Sequence, residues 1–169
     1  TNEEIQDLIG LLRFFLKKQI NELLKNDISL KILGEISLFP DDIIKDLNKL
    51  TEASEKKKTL CLIIAINYGS RQEITNSVKK IAHDIVSEKI TINDINEKKI
   101  SDNLYTKDVP DPDLIIRTGG DCRLSNFLLW QSAYSELIFV KKYWPDFSQD
   151  DFLSAINEFN KRERRFGGL

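Results

Sequence analysis

The segment from Leu60 to Ile66, LCLIIAI, is apolar at every position, and it limits the possible folds more than any other part of the chain. A strand with one face in water alternates polar and apolar residues, whereas a strand covered on both faces of a parallel sheet does not need to. The remainder of the sequence supplies partners for such a strand. Ile28 to Leu33 alternates as a strand and ends at Gly34, and the short apolar runs at Leu114–Ile116 and Leu137–Val140 read as two more. Between them lie helical patterns. Apolar residues at Ile5, Leu8, Ile9, Leu12, Phe15, Leu16, Ile20 and Leu23 predict an amphipathic helix from Glu3 to Leu24, with Leu11 and Phe14 widening its apolar face beyond what core packing requires. Further helices are expected from Pro40 through Leu50, with Pro40 in the first turn, and over Ile74–Val86, Ile95–Leu104 and Gln149–Arg162. Ser70-Arg71-Gln72-Glu73 has the form of a capping box, and Ser148 that of an N-cap. Strands and helices alternating through short connections predict an α/β fold, a mostly parallel sheet flanked by helices, in a single domain over residues 1–169.

Charge and cysteine usage exclude several functions. A net charge of −2 offers no domain-wide basic field, so nucleic acid is not expected as a partner. No apolar run approaches the ~20 residues of a spanning helix. Cys61 and Cys122 make no disulfide framework, and a reducing cytosol is the expected compartment. The chain has no methionine and starts at Thr1 inside a helical pattern, which raises the expectation of a fragment or a processed chain.

The chemistry concentrates between Asp113 and Phe147. Ligands in α/β folds bind beyond the carboxyl ends of strands, and there Gly119-Gly120 breaks the strand inside a loop carrying Arg117 and Arg123. Ser125 stands where a helix would begin, ahead of Phe127, Leu128, Trp130 and Gln131. Two arginines, a hydroxyl and helix N-terminal amides make a site for a doubly charged phosphate group. The alternative is that both arginines form surface ion pairs with Asp113 and Asp121. Phe127, Trp130 and Tyr134 have helical spacing and read as core. Glu136 is either a solvated acid or a ligand for a hard cation such as Mg²⁺, which binds one or two carboxylates plus substrate phosphates. Arg162, Arg164 and Arg165 are either solubilising charge or, with Phe166-Gly167-Gly168 following, a close backbone approach to a ligand. His83, alone in an amphipathic helix, reads as a packing or surface residue. No Walker, dinucleotide or zinc-ligand spacing is present.

RTGGDCRLSNFLLWQSAYSELIFVKKYWPDF, with INYGSRQEI upstream and NKRERRFGG at the end, closely resembles the cis-prenyltransferases, and within them the bacterial undecaprenyl diphosphate synthase branch. The resemblance implies repeated cis-condensation of isopentenyl diphosphate onto farnesyl diphosphate, giving a long polyprenyl diphosphate for cell-wall lipid carrier synthesis. It implies that Arg117, Arg123 and Ser125 grip the diphosphate of isopentenyl diphosphate, with Leu124 in the same run, and that Glu136 contributes to Mg²⁺ binding. Arg165-Phe166-Gly167 resembles the family's R-x-G element, which places Arg165 and Gly167 at a partner's active site across a homodimer interface. The first helix and the LCLIIAI strand would line a tunnel for the growing chain, with Leu60 near its closed end. A cytoplasmic protein with peripheral contact at the inner membrane face follows from the same resemblance.

The sequence departs from the family pattern at Asp121, where Glu is usual, at Cys122, where His or another polar residue is common, and at Ser70, where a second Gly is frequent. The family's Asp-Gly-Asn-Gly-Arg motif, which carries the catalytic aspartate, does not occur between Thr1 and Leu169. That aspartate is expected upstream of Thr1. The chain therefore reads as the C-terminal two-thirds of a catalytic domain, with the first strands of the sheet missing, and is expected to be inactive alone. A non-catalytic partner subunit of a cis-prenyltransferase and an unrelated phosphate-binding regulatory domain are the rival readings. Retention of Arg117, Arg123, Ser125 and Glu136 favours the enzyme.

Overall fold

A computed structural model describes residues 2–57 and 59–164. The chain groups into two compact units, Thr1–Tyr68 and Gly69–Leu169.

The first unit is built from α1 (Asn2–Lys25), β1 (Ile28–Leu33), α2 (Asp41–Ser54) and β2 (Leu60–Ala65). The two strands pair in parallel, from Ile28 opposite Leu60 to Leu33 opposite Ala65. Ile43, Leu47, Leu50 and Ser54 fall at helical spacing on the buried face of α2. With Leu16 of α1 and Leu30 of β1, the three aliphatic residues form the core. The width of the α1 apolar face is borne out: Leu16 is buried, while Leu8, Leu11 and Phe14 remain exposed. Pro40 lies just outside α2 as its N-cap residue rather than within its first turn.

The expectation of a strand covered on both faces is not met within this unit. Leu60 is 55% exposed and Leu62 36%. The physical reason is that α1 and α2 pack on β1, and β2 has β1 as its sheet neighbour on one side. Ser54, fully buried at the end of α2, accepts a hydrogen bond from the Leu30 amide at 2.9 Å through its Oγ, so an amide of β1 is satisfied by a helix side chain.

The second unit contains α3 (Ser70–Val86), a 3-10 turn at Ile92–Asp94, α4 (Glu97–Ser101), β3 (Leu114–Arg117), β4 (Glu136–Phe139), a 3-10 turn at Trp144–Asp146 and α5 (Gln149–Phe159). β3 and β4 are also parallel, with Leu114 opposite Glu136 and Arg117 opposite Phe139. The parallel α/β architecture is thus as expected. Among the described residues β1 pairs with β2 in the first unit and β3 with β4 in the second.

Two local expectations around α3 and its partner segment are corrected. Ser70 and Glu73 do not form a capping box, and Gly69 occupies the N-cap position without a side-chain cap. Glu73 instead turns inward, fully buried, and accepts hydrogen bonds from the Tyr105 amide at 2.7 Å and Gln131 Nε2 at 3.1 Å. No helix begins at Ser125. Ser125, Asn126 and Leu128 have φ of +48°, +65° and +46°, a left-handed conformation that cannot continue a right-handed helix. The segment runs in turns, and the helical spacing of its aromatics does not place them in the core: Phe127 and Tyr134 are exposed and Trp130 is half-buried, while Gln131 is buried.

Ser148 caps α5 as expected, in a reciprocal box with Asp151. Hydrogen bonds from Lys142 and from the hydroxyl and amide of Ser148 bring the Asp151 carboxyl from 3.8 down to about 2. Because the unfolded chain takes up this proton at higher pH than the folded one, the stabilisation is complete above the ordinary carboxylate range and is lost as pH falls through about 2. Replacing Asp151 by Asn is expected to flatten the acid limb of a pH–stability profile, measured by denaturant melts, between those two values. Replacing Ser54 by Ala leaves the Leu30 amide buried and unpaired, and should lower the unfolding free energy by ~1–3 kcal/mol in urea titrations with an unchanged slope.

Candidate anion-binding site and apolar cavity

β3 delivers Arg117 at its carboxyl end, where the chain must turn sharply away from the sheet. Gly119 and Gly120 make that turn with φ of +92° and +81°, a region side chains disfavour. Their amides are tied to the Lys142 and Val140 carbonyls at 2.8 and 3.0 Å, which fixes the loop to the segment after β4. The loop then returns Arg123, Leu124 and Ser125 to Arg117. Arg117 Nη1 donates to Ser125 Oγ at 2.9 Å and to the carbonyl of Arg123. The result is an open pocket of about 420 Å³ whose lining includes Arg117, Thr118, Arg123, Leu124, Ser125 and Phe127.

Four of the expected residues, Arg117, Arg123, Leu124 and Ser125, are therefore brought together. The helix amides expected beside them are absent, because Ser125 does not open a helix; cationic guanidinium groups and a hydroxyl are what the pocket offers. With its lone pair turned to Arg117, the Ser125 hydroxyl keeps a proton to donate to an anion. The ion-pair alternative is half realised. Asp121 Oδ2 lies 2.5 Å from Arg123 Nη2 and 3.4 Å from Arg117 Nη2, so a carboxylate of the loop bridges both arginines. Asp113 pairs instead with Arg164 at 2.6 Å. Asp121 was legible only as a member of a surface ion pair; its position between the arginines is set by the glycine turn.

Glu136 is not part of this cluster. It is the first residue of β4, opposite Leu114, whereas Arg117 lies opposite Phe139 at the other end of the strand pair. Its carboxylate accepts from Arg162 Nη1 at 2.8 Å, and Arg162 also donates to the Leu137 carbonyl and to Glu158. The hydrogen bonds to Glu136 and then Glu158 raise the Arg162 pKa above its ordinary value. Among the described residues no group of three or more His, Cys, Asp or Glu side chains is placed to hold a metal ion. Glu136 offers one carboxylate, engaged by Arg162. Arg165 and Gly167 lie outside the described residues, while Arg164 packs over the Phe159 ring, 5.6 Å from its centroid.

The first unit carries an apolar cavity of about 800 Å³ between α1, the Leu38-Phe39 segment and the end of β2. Leu8, Ile9, Leu12 and Phe15 form its helical wall and Ile64, Ala65 and Ile66 its strand wall. The apolar first helix and the apolar strand therefore do line one cavity. Leu60, expected near a closed end, is exposed at the start of β2 and takes no part in the lining.

Comparison with known proteins shows the family. Residues 1–167 match the prenyltransferase family model described as "Putative undecaprenyl diphosphate synthase". The isoprenyl transferase of Brucella suis is 45% identical over 166 residues, which are 98% of this chain and 65% of that protein. That of Rickettsia bellii is 46% identical over 167 residues, 99% of this chain and 71% of the relative. The chain thus spans about two thirds of the length of the curated relatives it matches. The crystal structure of lavandulyl diphosphate synthase from Lavandula x intermedia, in complex with dimethylallyl diphosphate, superimposes with a TM-score of 0.94 at 31% identity, covering 99% of this chain and 72% of that one. A family match over nearly the whole chain and a fold shared with a solved relative agree: this chain belongs to the undecaprenyl diphosphate synthase family of prenyltransferases.

Proposed function

We propose that this chain holds the isopentenyl diphosphate pocket of a cis-prenyltransferase, an enzyme that condenses isopentenyl diphosphate repeatedly onto an allylic diphosphate such as farnesyl diphosphate. The observation that carries this reading is the cluster of Arg117, Arg123 and Ser125 at the carboxyl end of β3. Guanidinium groups bind phosphate oxygens through paired N–H donors, and the Ser125 hydroxyl adds a third kind of donor. An incoming diphosphate, with more charge than a carboxylate, takes over the arginines from Asp121. The apolar cavity of the first unit suits a prenyl chain, since burial contributes ~0.8 kcal/mol per CH₂, and this gives a reason for the exposed Leu8 on α1 that the core does not use.

The chemistry assigned to these residues is positioning. In the reaction the allylic carbon–oxygen bond breaks and diphosphate leaves. The double bond of isopentenyl diphosphate attacks the allylic carbon, and a proton is lost from the isopentenyl unit. Arg117, Arg123 and Ser125 hold the nucleophilic substrate by its diphosphate so that its double bond faces the allylic carbon. The aspartate, Mg²⁺, second subunit and R-x-G contact that the resemblance implies belong to this proposal. So do a long-chain product for a cell-wall lipid carrier and action at the cytoplasmic face of a membrane. No helix among the described residues is long and apolar enough to cross one.

In the intact protein, replacing Arg117 or Arg123 by Ala is expected to raise the KM for isopentenyl diphosphate roughly ten- to a hundredfold, the loss of one charge-assisted hydrogen bond. Arg117→Lys should recover little, because a point charge does not reproduce the fork. Unchanged use of isopentenyl diphosphate in steady-state assays would remove these residues from the site. Ala65 lies on the strand wall of the apolar cavity, and enlarging it to Phe should shift products to shorter chains on thin-layer chromatography. An unaltered product distribution would separate the cavity from chain growth.

A further inference from the structure

The first turn of α3 has amides with no intrahelical partner, and no side chain of that helix caps them. The cap comes from the loop that carries Ser125. The Asn126 carbonyl oxygen accepts from the Ser70 amide at 2.8 Å, and Asn126 Oδ1 accepts from the Arg71 amide at 2.9 Å. A return bond runs from the Leu129 amide to Ser70 Oγ at 3.0 Å, with Ser70 fully buried. Asn126 therefore does for α3 what an N-cap residue ordinarily does, from 55 positions along the chain. Its φ of +65° suits asparagine better than most residues. Gly69 admits the contact, since a Cβ at that position would lie 2.8 Å from Asn126 Nδ2.

The residue next to this clamp is Ser125, itself at φ +48° with its hydroxyl 2.9 Å from Arg117 Nη1. A left-handed serine costs backbone energy and persists only where its surroundings hold it. We propose that Asn126 is the positioning residue of the diphosphate pocket. Clamped on the N-terminus of α3, it holds Ser125 in its left-handed conformation and so sets where the Ser125 hydroxyl and the Arg117 guanidinium meet isopentenyl diphosphate. This rests on the function proposed above. Asn126 reaches substrate through Ser125 and Arg117, not by contact of its own.

The experiment compares Asn126→Ala, Gly69→Ala, the double variant and Arg117→Ala in the intact protein. The readouts are KM for isopentenyl diphosphate, KM for the allylic diphosphate, kcat and thermal unfolding. Asn126→Ala should raise the KM for isopentenyl diphosphate roughly five- to tenfold, the loss expected of one cap, with the allylic KM within about twofold of the parent. Gly69→Ala should give the same selective rise. The double variant should be no worse than Asn126→Ala, because the added methyl no longer meets an amide. If Arg117→Ala impairs isopentenyl diphosphate use while Asn126→Ala lowers only the melting temperature, Asn126 is a structural anchor and the inference fails with the site intact. Additive effects in the double variant overturn it too. If Arg117→Ala itself has no effect, the site reading fails and takes the inference with it. Should Asn126→Ala not fold, Gly69→Ala decides: a selective KM rise supports the clamp, and an unchanged KM overturns it.

Discussion

The Glu73 carboxylate is wholly removed from water, and the ordering of the second unit depends on how that group is satisfied. A buried carboxyl with no partners would be costly, and its oxygens are met by the Tyr105 amide and the Gln131 side chain. Gln131 Nε2 also reaches Thr106 Oγ1 at 2.8 Å. One side chain of α3 therefore ties together the segment after α4 and the end of the turn-rich stretch that begins at Leu124. That stretch has no regular hydrogen-bond ladder of its own. Its shape is borrowed from α3, through Glu73 at one end and the Asn126 clamp at the other.

The candidate anion site built this way has its charged groups already held in place. Asp121 bridges both arginines and leaves the cluster one positive charge in excess, the glycine turn fixes where Asp121 can sit, and Arg117 in turn holds the Ser125 hydroxyl. The donors are aligned by the fold, and less ordering remains to be done on binding. The first unit works by different physics. Its α1 face is wider than the core of Leu16, Leu30, Ile43, Leu47 and Leu50 can use: Leu8 and Phe15 line a cavity together with Ile9 and Leu12, while Leu11 and Phe14 stay exposed.

Much of this was legible in the residues. The periodicity of α1 and α2, the bounds of β1 and the Ser148 cap all follow from local patterns, because each of these elements is stabilised by its own spacing and termini. The grouping of Arg117, Arg123 and Ser125 was legible for the same reason: a strand end and a glycine pair bring them within a few residues of one another. Three readings were not recoverable. The Ser70–Glu73 pattern satisfies the capping-box rule, yet both side chains are claimed by distant partners, Leu129 for one and Tyr105 and Gln131 for the other. The spacing of Phe127, Trp130 and Tyr134 fits a helix, yet left-handed Ser125 and Asn126 precede it and left-handed Leu128 interrupts it. The apolar run at Leu60 suggests cover on both faces, yet within its unit the helices lie on β1.

By itself, then, the sequence determined the parallel α/β pattern, the family and the strand-end arginines, since these depend on near neighbours along the chain. Only the tertiary structure decided that Ser125 sits in a turn rather than at a helix start, that Asp121 bridges the arginines, and that Glu136 is held by Arg162 away from the pocket. The first and last of those outcomes depend on polar groups that find partners far along the chain, 26 residues apart for Glu136 and Arg162 and 59 for Ser70 and Leu129, while Asp121 reaches its near neighbours only through the glycine turn. Such pairings leave no periodic trace, because a hydrogen bond requires its donor and acceptor to be close in space and is indifferent to their separation in sequence.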